Sequence, residues 1–295
     1  MKDSYPQISL ARFCRLLGIT RQAFYQHFWF VSDWNIQQQM IVRQVQNIRQ
    51  SHPVIGGRKL YCMLQSFLLE HQIKMGRDAL FDLLSANKLL VRKKKRKIST
   101  TQSHHWLKKY PNLIKQWQPR KPLQLWVADI TYVAVQNGFL YLSLITDAYS
   151  HKIMGYNIAN NLGAVNTFKA LQMALTNNPL TEQLIHHSDR GIQYCCADYI
   201  NLLKQNNIQI SMTESGDPLE NALAERINGI IKQEYLQHYP TLSVHNAQEL
   251  IKDVVDRYNN QRPHLSINLL TPDLVHQLKL PVNRKWNKTH KCLIL

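Results

Sequence analysis

The segment QLWVADITYVAV, residues 124–135, is rich in β-branched and aromatic residues and carries one carboxylate, Asp129, in its middle. Two similar segments follow, FLYLSLITDA at 139–148 and KIMGYNIA at 152–159, with Asn137-Gly138 as a hairpin signal before the second segment. The three segments predict an antiparallel meander. Next come a helix over 164–177, a strand LIHHS, a helix over 197–205 and a strand IQISM, which indicate a mixed α/β sheet with helices on its faces.

Asp129 needs an explanation, because a charge inside an apolar strand is costly unless it is paired or bound to a metal ion. A second carboxylate, Asp189, closes the short strand in HHSDRGIQY, residues 186–194. Short connections favour neighbouring strands, so we expect these two strands to lie side by side. A turn stabilised by the aspartate side chain is the alternative for each residue.

A third carboxylate lies on a well-marked helix in ESGDPLENALAERINGIIKQEYL, residues 214–236. Asp217 suits the N-cap, Pro218 suits the first helical position, and Glu220 can reach back to the cap. Apolar residues mark one side of this helix, and polar residues at helical spacing mark another. The polar stripe consists of Asn221, Glu225, Asn228 and Lys232. Glu225 therefore lies one turn into the helix, on its polar side.

These three carboxylates supply the oxygen donors that Mg²⁺ or Mn²⁺ prefers, and two such ions can hold the attacking and leaving oxygens of a phosphodiester. Glu214 and Glu220 are rival third ligands, although capping explains Glu220 better. Asp147, at the end of the second strand, is expected to be structural. His187 is a candidate outer residue that orients the attacking water or contacts the phosphate, and a structural histidine is the alternative.

Charge is distributed unevenly along the 295 residues. Residues 1–121 hold 22 Lys+Arg against 5 Asp+Glu, whereas residues 122–295 hold 14 of each, so the first region carries the whole formal charge of +17. A basic region joined to a neutral one indicates a module that binds a polyanion, most commonly nucleic acid. A basic domain without such a ligand is the alternative.

The basic region contains two patterns typical of helix-turn-helix units. In SLARFCRLLGITRQAFYQHF, residues 9–28, the turn falls at Gly18-Ile19, Thr20 is the expected N-cap of the second helix, and Leu17 is among the residues expected to pack the helices together. An ordinary helical hairpin explains the same spacing. A polar helix is predicted around residues 35–50, and helices that begin near residues 58 and 77 form the second unit. Candidates for DNA contact are Arg21, Gln22, Gln26, Arg58, Lys59 and Arg77.

Composition divides the chain into four regions. Residues 1–91 are predicted to form the helical DNA-binding region, 92–121 a basic linker, 122–275 the α/β core and 276–295 a basic tail. The linker opens with six consecutive cations that are either solvated or in contact with phosphates. They are Arg92, Lys93, Lys94, Lys95, Arg96 and Lys97.

The remaining composition excludes several classes of protein. The five cysteines include no C-x-x-C pair, which argues against a disulfide framework or a structural zinc site. No run approaches the roughly 18 apolar residues of a membrane span, and the first residues lack the apolar region of a secretion signal. We therefore expect a cytoplasmic protein with no membrane partner.

The blocks WVADITYV, HSDRGIQY and GDPLENALAE resemble the three catalytic blocks of bacterial insertion-sequence transposases in the retroviral-integrase superfamily, in particular the second-frame product of the insertion-sequence-three family. Between Asp189 and Glu225 lie 35 residues, the spacing of that family's Asp-Asp-35-Glu signature. The block YNNQRPHLSINLLTP, residues 258–272, is similar to the family's downstream Tyr-Asn-x-x-Arg-Pro-His element. The resemblance covers about residues 120–275.

The resemblance implies an RNase H-like core in which Asp129, Asp189 and Glu225 hold two Mg²⁺ or Mn²⁺ ions and catalyse hydrolysis and strand transfer. The substrate would be double-stranded DNA, as the terminal repeats of a mobile element and as target DNA. At least a dimer on DNA, a partner protein from an upstream frame and a location at the bacterial nucleoid are further implications. Candidates for DNA or outer contacts in the core are Arg190, Asn221, Lys232, Arg262 and His264.

Two positions depart from the family's pattern. Glu220 stands where Asp is usual, and Arg226 follows Glu225 where a small residue is common, so Arg226 could contact a phosphate or pair with a carboxylate. Two other functions stay open: a helix-turn-helix regulator with an inactive core, and an RNase H-type nuclease that cuts without joining. A retroviral-type integrase is disfavoured, because its His-His-Cys-Cys zinc module has no counterpart in this sequence.

Overall fold

The computed structural model describes residues 8–91, 107–115, 117–135, 138–178, 183–214, 218–239 and 243–281. The chain groups into two compact units, Met1–Gln50 with Met63–Leu90 and Ser51–Cys62 with Val91–Leu295. Among the described residues, no helix combines the length and apolar character needed to cross a bilayer. The predicted cationic run at 92–97 and the predicted tail beyond residue 281 lie outside the described residues.

The N-terminal region is helical, as predicted. The second helix begins at the expected cap, since Thr20 Oγ1 accepts from Ala23 N at 3.0 Å, and Ser9 Oγ caps the first helix by accepting from Arg12 N at 3.4 Å. Gly18 makes the turn between them with a φ of +67°, a conformation that glycine adopts without strain. The helices are α1 (Leu10–Leu16), α2 (Arg21–Ser51), α3 (Gly57–Met63), α4 (Gln65–Glu70) and α5 (Arg77–Ala86).

Three details of this region differ from the predictions. The two helices expected within residues 20–50 form one helix, α2, because neither Gly nor Pro interrupts residues 21–51. Leu17 was expected to pack the helices together, but its side chain is 51% exposed. Residues 51–62 group with the second unit, although the first unit does end at Leu90, next to the predicted boundary at residue 91.

The second unit is built on a five-stranded mixed sheet. The strands are β1 (Leu125–Val135), β2 (Gly138–Asp147), β3 (Ile153–Ala159), β4 (Ile185–Ser188) and β5 (Gln209–Met212), in the spatial order β3-β2-β1-β4-β5. Strands β1, β2 and β3 form the predicted antiparallel meander, whereas β4 and β5 run parallel to β1. Asn137 of the hairpin signal lies outside the described residues. This order confirms the mixed α/β, RNase H-like core that the sequence predicted.

Helices cover both faces of this sheet. On one face α6 (Ala164–Asn177), α7 (Ile192–Cys195) and α8 (Ala197–Gln205) pack on a cluster that includes Trp126, Ala128 and Leu184. The other face packs on α9 (Ala222–Ile230) and α10 (Val244–Asn260) through Val133, Leu142 and Leu144. Because side chains alternate across a strand, odd-numbered residues of β1 from 125 to 133 face α9 and α10. A final helix, α11 (Pro272–Leu278), follows.

The helical run around α9 is irregular at both ends. A 3₁₀ turn, Pro218–Asn221, precedes α9, so the regular helix begins later than the predicted first position at Pro218. A π-helical turn, Ile231–Tyr235, and a 3₁₀ turn, Leu236–His238, follow α9. Asp217, the predicted N-cap, lies outside the described residues. A last 3₁₀ turn, Leu265–Ile267, lies between α10 and α11.

Candidate active site

The sheet register places the two predicted aspartates on neighbouring strands. Val127 of β1 pairs with His187 of β4 in a parallel ladder, and each aspartate follows its paired residue by two positions. Parallel neighbours lie about 4.8 Å apart in the hydrogen-bonding direction. Asp129 also shares the face of Val127, which packs on Ala224 of α9. Asp129 and Asp189 therefore lie together on the α9 side of the sheet, where β1 and β4 diverge.

Helix α9 brings the third carboxylate to the same place. The Asn221 side-chain amide donates to the Ala128 carbonyl at 2.9 Å, and the Asn228 amide donates to Asp129 Oδ2 at 2.8 Å. Glu225 comes four residues after Asn221 and three before Asn228, positions that share one face of a helix. Two side chains of the polar stripe therefore bind the strand at Asp129, and Glu225 lies exposed between them.

The three carboxylates interact electrostatically. Burial, together with the negative charges of Asp189 and Glu225, raises the pKa of Asp129 to about 7, against the hydrogen bond from Asn228, which lowers it. Asp189 Oδ1 in turn accepts from Gly191 N at 2.9 Å. A Cβ at Gly191 would lie 2.9 Å from that same oxygen, so a larger residue there would displace the Asp189 carboxylate. The repulsion at Asp129 means that a cation at this place would be stabilising.

The donor set fits Mg²⁺ or Mn²⁺. Carboxylate oxygens are the ligands that these hard ions prefer, and a half-buried Asp129 repelled by two further carboxylates is a site that favours positive charge. Within the described ranges, no three His, Cys, Asp or Glu side chains stand close enough together to hold one ion. Glu225 is exposed, so its side chain can change rotamer towards the two aspartates without displacing packed atoms.

His187 and His186 lie on opposite faces of β4 and are both buried. His187 Nδ1 is 2.8 Å from Ser211 Oγ, which itself accepts from Leu113 N at 2.9 Å. Ser211 therefore links the His187 ring to the backbone of Leu113. Burial lowers the pKa of His187 to about 4 and that of His186 to about 3, so both rings are neutral at pH 7. His186 Nε2 is 2.9 Å from the Tyr199 hydroxyl.

The other acids considered for the site have structural partners. Asp147, as expected, caps the turn after β2, since its oxygens accept from Leu123 N, Tyr149 N and both Ser150 N and Ser150 Oγ at 2.7–3.1 Å. Glu220 Oε2 accepts from Glu214 N at 2.5 Å, and Glu214 pairs with Lys115 at 3.2 Å. Glu220 therefore binds the amide of Glu214, whereas its predicted contact with the cap Asp217 lies outside the described residues.

Three of the predicted DNA contacts in the core are buried. Arg262 is only 1% exposed, and its guanidinium binds both carboxylate oxygens of Glu234, at 2.8 and 2.9 Å. His264 Nε2 is 2.8 Å from Arg262 Nη1. The charge of Arg262 is therefore already paired inside the protein, and DNA contact by Arg262 and His264 stays a prediction. Asn221 is also buried and binds the Ala128 carbonyl, which makes it an outer contact of the candidate site.

The other predicted contacts differ in their exposure. Arg190 and Lys232 are half-buried, and burial lowers the pKa of Lys232. Lys59 is 3.6 Å from Glu234 Oε1, with its side chain 14% exposed. The exposed candidates in the helical region are Arg21, Gln22, Gln26, Arg58 and Arg77. Sequence reasoning missed the role of Asn228 as the partner of Asp129, although it had placed this residue on the polar stripe.

Comparison with known proteins places the same segments in one family. An integrase core domain model matches residues 119–218, and a second integrase core domain model matches residues 206–272. The chain is 36% identical over 263 residues to a 31 kDa protein of insertion element IS600 from Shigella sonnei, which covers 88% of this chain and 95% of that protein. It is 30% identical over 214 residues to the transposase for insertion sequence element IS629 of Shigella sonnei, covering 72% and 70%.

A third relative and a solved structure give shorter matches. The transposase InsF for insertion sequence IS3A of Escherichia coli K12 is 33% identical over 172 residues, covering 57% of this chain and 59% of that protein. The catalytic core domain of HTLV-2 integrase, solved with magnesium, superposes with a TM-score of 0.43 at 21% identity, covering 53% of this chain and 97% of that one.

Proposed function

Because the chain belongs to the insertion-sequence transposases that carry an integrase core domain, we propose that it cuts and joins DNA at the ends of a mobile element with Asp129, Asp189 and Glu225 as its catalytic carboxylates. The observation that carries the proposal is the register of β1 and β4, which places two carboxylates side by side beneath the helix that bears the third. Polynucleotidyl transfer is the activity of such a family.

The proposed chemistry consists of two in-line displacements at one site. Water attacks the phosphodiester at the end of the element, and the freed 3′-hydroxyl then attacks a phosphodiester of the target DNA. Two Mg²⁺ or Mn²⁺ ions held by the three carboxylates would supply Lewis acidity at the phosphate and lower the pKa of the attacking water. No covalent bond between enzyme and DNA is required.

The residues of the chain supply the position and the charge of the ligands. Asn228 directs one oxygen of Asp129, Gly191 N directs one oxygen of Asp189, and Asn221 holds the start of α9 on β1. These contacts orient one oxygen of Asp129 and one of Asp189, and Glu225 lies between Asn221 and Asn228. Little reorganisation of the ligands is therefore needed when a cation and a phosphate bind.

The substrate and partners of this site follow from the charge of the chain and from the reaction. We propose that the basic N-terminal region binds double-stranded terminal repeats, with the exposed Arg21, Gln22 and Gln26 at the start of α2 among the contacts. Two ends must be brought together for transposition, so at least two copies act on DNA. A protein from an upstream frame is a further proposed partner.

The test is a comparison of DNA binding with DNA joining in purified variants. Asp189→Asn and Glu225→Gln should bind terminal-repeat DNA with unchanged affinity but neither nick it nor join it to a target. Glu249→Gln, which removes an exposed carboxylate on α10, should keep both activities. Undiminished joining by either site variant would show that the carboxylates are misassigned.

The choice of cation separates the remaining alternatives. The wild-type protein should bind labelled DNA in Ca²⁺ but cut it only in Mg²⁺ or Mn²⁺. A helix-turn-helix regulator would bind in all three and cut in none, and an RNase H-type nuclease would cut without producing joined molecules.

A further inference from the structure

A buried charge network lies at the far end of the helical run that carries Glu225. Arg262 binds both oxygens of Glu234 at 2.8 and 2.9 Å, and His264 and the ring of Tyr258 lie against its guanidinium. The network lowers the pKa of Glu234, although burial alone would raise it, because Arg262 and Lys59 favour its charged form. A pair of opposite charges is thus held inside the unit.

Glu234 belongs to the π-helical turn Ile231–Tyr235, which continues directly from α9. A π turn inserts one residue into the helical repeat and rotates everything on one side of it relative to the other. The bidentate pair with Arg262 holds Glu234 in this turn, and the hydrogen bonds of Asn221 and Asn228 hold the opposite end of the run on β1. The rotation of α9, and so the direction of Glu225, is set from both ends.

Such a pair is poorly explained by stability alone. Burying two charges costs several kcal/mol each, and well-packed apolar residues in their place are often equally or more stabilising. The best-attested role of a buried charge pair is to specify one register among several packed alternatives. A helix that must direct one carboxylate at two others requires that kind of specification.

A segment from the N-terminal half of the chain completes the network. Lys59 Nζ lies 3.6 Å from Glu234 Oε1, and His52 Nδ1 lies 2.8 Å from the Tyr235 hydroxyl. Ile55 and Leu60 between and beside them are fully buried, so residues 51–62 are packed as part of the second unit. Burial and the charge of Arg262 lower the pKa of Lys59 to about 8, against the attraction of Glu234. Lys59 is therefore paired with Glu234 in the network and is not available to contact a DNA phosphate.

We propose that Glu234, clamped by Arg262 and Lys59, is a positioning residue that sets the direction of Glu225, and that Lys59 acts through this clamp and not through DNA. The inference rests on the proposed catalytic role of Glu225. It assigns a function to the Arg-Pro-His block at 262–264, and it makes residues 51–62 a working part of the catalytic unit.

The experiment compares Lys59→Met with Lys59→Arg, which keeps the charge, and with Lys204→Met, which removes an exposed lysine of α8. In Lys59→Met we expect the affinity for Mn²⁺, measured by electron paramagnetic resonance without DNA, and the joining rate at saturating DNA each to fall on the order of 10-fold, the lower end of the effect of an outer contact at a metal site. The affinity for terminal-repeat DNA should stay within about 2-fold, which is well below the effect of losing one charged hydrogen bond. Lys59→Arg should restore both quantities, and Lys204→Met should change neither.

Two results would overturn the proposal. One is a loss of DNA affinity in Lys59→Met with Mn²⁺ affinity intact, which would return Lys59 to the DNA-contact role. The other is no change in either affinity or rate. If Lys59→Met has a lower melting temperature than the wild type, Lys59→Gln replaces it in the same measurements. Glutamine also removes the charge but keeps a polar end group. If Glu225→Gln joins DNA as well as the wild type, the proposed function itself fails, and this outcome is read from a separate variant.

Discussion

Replacing Asp129 by asparagine should stabilise the metal-free protein at the same time as it abolishes joining. The carboxylate of Asp129 is desolvated and repelled by Asp189 and Glu225, which together raise its pKa to about 7 from a usual 3.8. Asparagine has a similar shape, can accept the hydrogen bond from Asn228 through its own oxygen, and carries no charge. The substitution therefore removes an unfavourable charge and keeps its main partner.

The magnitude follows from the pKa difference, at about 1.4 kcal/mol for each pH unit. A carboxyl whose folded pKa is raised destabilises the fold fully above about pH 7, and the penalty disappears as the pH falls below its unfolded pKa near 4. The shift sets an upper limit of about 4 kcal/mol. Since an amide offers one acceptor oxygen where the carboxylate offers two, we expect a gain of about 1–3 kcal/mol at pH 8. That corresponds to a rise in melting temperature of roughly 3–10 °C.

The assay is thermal unfolding of Asp129→Asn and wild type in a metal chelator at pH 8 and at pH 4.5. The gain should shrink to about 1 kcal/mol or less at the lower pH, because the wild-type carboxyl is then protonated in the folded state. Asp147→Asn is the matched control. Its carboxylate accepts three hydrogen bonds in the turn after β2 and a fourth from Leu123 N before β1, so the same change there should destabilise the fold by about 1–3 kcal/mol. A lower melting temperature for Asp129→Asn at pH 8, or an equal gain at both pH values, would refute the reasoning.

Three other substitutions test separate contacts. Asn228→Leu removes the donor to Asp129 Oδ2 and should weaken Mn²⁺ affinity by about 10–100-fold; an affinity within 3-fold of wild type would contradict the assigned contact. Gly155→Ala would place a Cβ 2.1 Å from the Ala170 carbonyl oxygen where β3 crosses α6, and should cost more than about 3 kcal/mol in urea unfolding, beyond ordinary overpacking. Tyr199→Phe leaves the buried His186 Nε2 without its 2.9 Å partner and should cost about 1–3 kcal/mol, so an unchanged unfolding midpoint would count against that bond.

The strands and most helices of the core could be predicted because their signals are local. The predicted helices at 164–177 and 197–205 coincide with α6 and α8, and the three segments of the meander became β1, β2 and β3 within two residues at each end. The π-helical turn after α9 was not predicted, since the apolar spacing of residues 227–231 is that of an ordinary α-helix.

The polar residues divide in the same way. Asp129, Asp189 and Glu225 were identifiable because an acid in an apolar strand or on a polar stripe is unusual, and because their spacing resembles that of a family. The pairing of Arg262 with Glu234 was not predicted, since a cation looks the same in sequence whether water or a buried carboxylate surrounds it.

The amino-acid sequence by itself determined the periodic segments, the cap at Thr20, the uneven charge and the identity of three widely separated carboxylates. Only the tertiary structure decided which side chains meet: Asn228 with Asp129 and Lys59 with Glu234. The physical reason is range. Propensity and capping depend on neighbours within one helical turn. Desolvation and charge pairing depend on groups that are distant in the sequence, such as Asn228 and Asp129, which are 99 residues apart and meet only in the folded protein.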